Sequence, residues 1–245
     1  FTFSWIKFDN FDQVLNNFYA SYFAGALLLP RKKLIDDLNV FLSKTHPTAE
    51  EMITLMSQFN VSPESFYQRL TNILPKDFQL KNLFFLRLSH KLGSDSYQIK
   101  KELHITNQQE PRANEMNEHY CRRWVSIRTI ESAIAEKKEH FFSAQISRYD
   151  NSNNEYLVFS SATQDPFKKD HLRSISVGIL VNATMKKKFK FIDSGIIKKE
   201  LVGVTCETCA VKNCELRATP PIHLEQKKRN ENTDLIVQQY MEKFS

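Results

Sequence analysis

Glycine is scarce in this chain: five occur in 245 residues, and none falls in a G-x-x-x-x-G-K-[ST] or G-x-G-x-x-G pattern. Backbone loops that cradle phosphates need such glycines, so a classical nucleotide-binding loop is excluded. Long apolar runs are missing as well. The longest candidate, Tyr19–Pro30, has about half the ~20 residues a membrane span requires, and it reads as a buried helix. None of the seven histidines belongs to an H-E-x-x-H pair, which would set two metal ligands on one helical face, and no G-x-S-x-G nucleophile elbow occurs. The chain therefore reads as a non-enzyme. No charged-then-apolar signal segment opens it, and structural disulfides, which need an oxidising compartment, are not expected. It starts at Phe1 rather than Met, which reads as a fragment of a longer protein.

What is present is an ordinary globular composition, 41% apolar and 25% charged, with a formal net charge of +6. Cationic clusters at Arg31–Lys33, Lys186–Lys188 and Lys227–Arg229 permit an anionic partner, but each reads first as a solvated face.

The cysteines are more specific. Three of the four, Cys206, Cys209 and Cys214, are spaced C-x2-C-x4-C, and Cys121 lies far upstream in HYCRRW. Zinc and iron–sulfur centres both accept four thiolates, so Cys121, Cys206, Cys209 and Cys214 are the candidate ligands of one metal or cluster. The flanks Glu207, Thr208, Lys212, Asn213 and Glu215 are polar, unlike an apolar core segment. Thiolates alone do not separate iron from zinc. Four of them carry a surplus of negative charge around a divalent metal, which Arg122, Arg123, Lys212 and Arg217 are placed to offset.

Taken in order, residues 11–29 carry apolar side chains at three- and four-residue spacing, as an inward-facing helix requires. Pro30 ends that helix and a second follows over Leu34–Leu42. Thr48 with Glu51 forms a capping box opening a helix over Glu50–Phe59. Ser62 and Pro63 are an N-cap and first helical residue opening another over Glu64–Leu74. The last two have helix-turn-helix length, yet Arg69 is the second helix's single cation, which favours packing over DNA contact. From Leu83 the pattern changes to strands at Leu83–Ser89, Tyr97–Leu103, Phe141–Tyr149, Glu155–Thr163 and Ser174–Asn182. Asp150–Asn154 has turn chemistry, and a helix is expected over Asn117–Lys137. The fold class is α+β: a helical segment over residues 1–76, then a sensor-like domain over 77–245, an antiparallel sheet with helices on one side and a Cys-rich knuckle. Leu224–Phe244 reads as a closing or partner-facing helix.

Two stretches resemble known families. NNFYASYFAGALLLPRKKL resembles the helix that follows the zinc-peptidase motif in ImmA/IrrE-type proteins. LFFLRLS, HYCRRW and GVTCETCAVKNCELRATPP resemble the C-terminal sensory part of the short-chain fatty acyl transcriptional regulators. That resemblance implies a cytoplasmic regulator of fatty acid metabolism that binds CoA or a short-chain acyl-CoA. It also implies DNA binding through a helix-turn-helix outside this chain, self-association, and a [4Fe–4S] cluster or zinc on the four cysteines. One member of that family is associated with such a cluster. Members often carry a further Cys in the strand matching SVGILVN, and this chain has none. For the CoA phosphates the candidates are Arg87, within a strand of Leu and Phe, and Lys100 and Lys101 on the next strand. The alternative is the supporting half of an ImmA/IrrE-type metallopeptidase, with a structural zinc in the knuckle.

Overall fold

In the computed structural model, residues 9–105, 118–150, 152 and 154–242 are described. Four helices open the chain: α1 (Phe11–Leu28), α2 (Arg31–Leu42), α3 (Ala49–Ser57) and α4 (Pro63–Asp77). Their starts follow the cap chemistry in the sequence. Thr48 Oγ1 accepts from the Glu51 N–H at 3.2 Å, and the Glu51 carboxylate accepts from the Thr48 N–H at 2.9 Å. Ser62 Oγ accepts from the Ser65 N–H, and Pro63 occupies the first turn, where a missing N–H costs nothing.

One expectation is overturned here. The apolar helix is not buried: α1 has no buried residue, and Phe18, Phe23 and Leu27 are 58%, 63% and 64% exposed. Helical spacing defines an apolar stripe without saying what lies against it. Only the end of the segment inserts, where Leu29 is fully buried, while Tyr22 lies against the Arg69 guanidinium at 5.4 Å.

The rest is built on six strands: β1 (Leu83–Lys91), β2 (Tyr97–Ile105), β3 (His140–Tyr149), β4 (Glu155–Gln164), β5 (His171–Leu180) and β6 (Lys199–Val202). They form one sheet in the order β2-β1-β5-β4-β3-β6. All pairings are antiparallel except β3 with β6. The α+β class holds, with three differences from the sequence reading. A sixth strand is present. The helix expected from Asn117 begins at Val125, as α5 (Val125–Glu136), and residue 117 of the expected helix lies outside the described residues. Helices also cover both faces rather than one, because the strands alternate apolar residues to each side.

On one face Leu83, Phe85, Leu157, Phe159, Ile175 and Val177 pack with α2, α3, α4 and the short α6 (Ala183–Lys188). On the other, Phe84, Leu86, Tyr156 and Val158 pack with Trp124, Ile127 and Ile130 of the α5 region. At β5 the second face is so close that a side chain on Gly178 would meet the Phe84 ring at 2.1 Å. The α4 helix of the helix-turn-helix-length pair turns into the first face. Tyr67 is buried and shares a 2.9 Å hydrogen bond with Ser161 of β4. Arg69 is buried and donates to the Leu29 carbonyl, so it is engaged in packing. The tail forms α7 (Ile222–Glu242), which has no buried residue.

Candidate cysteine site and its flanking cavity

Three of the four cysteines are brought together by backbone pairing. Tyr120 forms an antiparallel bridge with Thr205. Around it the Cys121 N–H donates to the Val204 carbonyl at 3.1 Å, and the Cys206 N–H to the His119 carbonyl at 2.7 Å. The Trp124 indole N–H fixes the same junction through the Gly203 carbonyl at 2.8 Å. Gly203 is where the thiols converge. Its N–H donates to Cys121 Sγ at 3.4 Å, and a Cβ there would stand 2.8 Å from Cys209 Sγ. Cys206 Sγ accepts from the Ala218 N–H at 3.4 Å. Cys214 stays half-buried on the outer turn.

Burial pushes the Cys121 thiol up to about 11, against backbone N–H groups of Arg123 and Gly203, and the nearby Cys209 and Cys206 add to the rise. Burial also raises Cys209, with the Asp150 carboxylate adding to it; Asp150 in turn accepts from the Ala210 N–H at 3.0 Å. These are neutral thiols at neutral pH. The residue types suit zinc or an iron–sulfur cluster. Among the described residues no three His, Cys, Asp or Glu side chains form a group that could hold a metal ion.

The knuckle is organised instead by two charged residues. Arg217 donates to the carbonyls of Cys206 (2.9 Å), Cys209 (3.4 Å) and Val211. Glu207, a polar flank in the sequence, is 5% exposed. Its carboxylate accepts from the His119 N–H at 3.0 Å and faces His119 Nδ1 at 2.8 Å, while its carbonyl accepts from His223 and Leu224 at the start of α7. His223 Nε2 lies 3.1 Å from Glu118. Of the other cations near the cysteines, Lys212 is exposed and the two arginines beside Cys121 are engaged elsewhere. Arg122 bonds Asp95 and lies over the Tyr97 ring at 4.7 Å, and Arg123 donates to the Leu201 carbonyl.

Beside Cys121 opens a cavity of about 280 Å³ lined in part by Tyr97, Ile99, Lys100, His119, Tyr120 and Arg122. Its volume is near the lower bound of small-molecule sites. Lys100 reaches it at an irregularity in the β1–β2 register, between the Arg87–Lys101 and Leu88–Ile99 pairs. Arg87 and Lys101 are not with it. Both lie toward α4, where Arg87 Nη1 is 3.3 Å and Lys101 Nζ 3.8 Å from the buried Glu64 carboxylate. Arg173 joins them at 3.4 Å. The sequence pointed to Arg217 only as a charge facing the thiolates and to Glu207 only as a polar flank; it did not disclose Gly203 or the meeting of Arg87, Lys101 and Arg173 at Glu64. Only the scarcity of glycine hinted at one of them, since each remaining glycine invites a structural reason.

The family model for the IrrE N-terminal-like domain, a family bearing a peptidase label, matches residues 6–71 of the 245. The match takes in α1 to α3 and most of α4. No curated protein matches the chain, and no solved structure does.

Proposed function

We propose that this chain is the supporting half of an IrrE/ImmA-type protein, in which the sheet braces the helices of the matched segment. The observation that carries this reading is the core shared by α2–α4 and the sheet, sealed by the buried Tyr67–Ser161 hydrogen bond. The chain's own sequence has no H-E-x-x-H, so catalysis would need that pair on polypeptide preceding Phe1. A protein carrying such a segment together with residues 1–245 is expected to bind zinc and cleave peptides. Leu70→Ala, which opens a hole where α4 meets the core, is expected to lower that activity severalfold. An upstream sequence without H-E-x-x-H, or activity indifferent to loss of the sheet, contradicts the reading.

A second reading is favoured by the cavity beside Cys121. In it the sheet senses a ligand, and the four cysteines take up a zinc or a [4Fe–4S] cluster. The cavity, with Lys100 in its wall, is large enough for part of a CoA ester but not for the whole molecule. The bracing role does not depend on such a centre. Anaerobic preparation with metal analysis checks this reading: about one zinc or about four irons per chain supports it, and neither removes the centre.

A further inference from the structure

Most cations on this surface that have a partner are matched one for one with a carboxylate, as in Arg31–Asp77, Lys33–Asp37 and Lys186–Asp193. Glu200 is shared by Arg123 and Lys198, and among the described residues the fullest departure, three cations on one carboxylate, is a row across three neighbouring strands. Lys101 on β2, Arg87 on β1 and Arg173 on β5 all turn to one carboxylate, Glu64 at the N-terminal end of α4. Three cations meet one anion, so two positive charges go unmatched inside the group. The Glu64 and Arg173 side chains are 11% and 13% exposed, whereas Arg87 and Lys101 are 33% and 39% exposed. The group is therefore closed at its floor and open on the Arg87–Lys101 side. Both Glu64 oxygens are already used, one facing Lys101, the other Arg173, and both shared with Arg87.

We propose that Arg87, Lys101 and Arg173 form a binding site for a phosphate dianion, the free ion or a phosphomonoester, with Glu64 as the internal competitor that holds the three cations when no ligand is bound. A dianion matches the charge left over, and two guanidinium forks beside an ammonium offer it more donors than one carboxylate can use. Burial lowers the Lys101 pKa, Glu64 opposes this, and the nearby Arg87 lowers it further; a second anion would relieve that strain. The inference goes beyond the bracing role and stands without it, since phosphate binding can be read whether or not any peptidase activity exists.

Calorimetric titration at constant ionic strength tests it, with inorganic phosphate and AMP as probes. Saturable phosphate binding is expected, weakened roughly tenfold in Lys101→Ala by loss of one charge-assisted contact, and tightened in Glu64→Gln by loss of the competitor. Lys101 is on an edge strand, so that variant is expected to keep its circular dichroism spectrum. AMP binding with the same Lys101 dependence assigns the site to phosphomonoesters, and phosphate binding alone assigns it to the free ion. No saturable binding of either probe at millimolar concentration, or equal affinity in the wild type and Lys101→Ala, overturns the proposal.

Discussion

The Cys121 thiol illustrates how one residue reports on the whole site. Its folded value is about 11 against an ordinary 9.0, chiefly through burial. Between those two pH values the unfolded chain has released the proton while the folded chain keeps it. The folded state then binds more protons, so stability falls as pH rises through that window and is unaffected below it. The denaturant midpoint is expected to drop more steeply from about pH 9 to 11 in the wild type than in Cys121→Ala. Parallel pH curves for the two would contradict the buried, neutral thiol. The same residue shows what the sequence could disclose. The C-x2-C-x4-C spacing singled out the knuckle, and the paired backbone brings Cys121 to it. Nothing in the sequence shows that Arg217 would fill the turn with hydrogen bonds to three carbonyls, or that Glu207 would be buried beneath His119. Both look like solvated charges until the fold removes their water.

At the scale of elements, α4 is the joint of the molecule. Its buried face, Phe66, Tyr67, Leu70, Ile73 and Leu74, is read directly from spacing, and its start from Ser62 and Pro63. Leu70→Ala is expected to cost about 2–5 kcal/mol, the range for a truncated buried leucine, measured by denaturant unfolding. A cost under about 1 kcal/mol would mean that α4 is not packed as described. The first five strands were legible to within a few residues because alternation and turn chemistry mark them. The four-residue β6 was not, since its pairing is parallel to a strand some fifty residues earlier and leaves no local pattern. The failure at α1 has the opposite cause: its periodicity is strong, but an apolar stripe exists whether or not anything covers it. Fold class survives such errors because it depends on the sheet, whereas the two-sided layering depends on contacts far apart in the chain.

At the scale of the whole molecule, the segment matching the IrrE N-terminal-like domain and the sheet behind it are expected to stand or fall together. The core that runs from Leu34 and Phe41 through Phe66 and Tyr67 to Phe85, Leu157 and Val177 is continuous. Cooperative units defined by such cores exchange their amide hydrogens together. The most direct measurement is therefore native-state hydrogen exchange of the intact chain, comparing the amides of Phe66–Leu74 in α4 with those of Ser174–Ile179 in β5. Matching protection is expected in the two, lost at the same denaturant concentration. Protection that persists in β5 after α4 has exchanged freely would contradict it, leaving the sheet a separate body on which the matched helices merely rest.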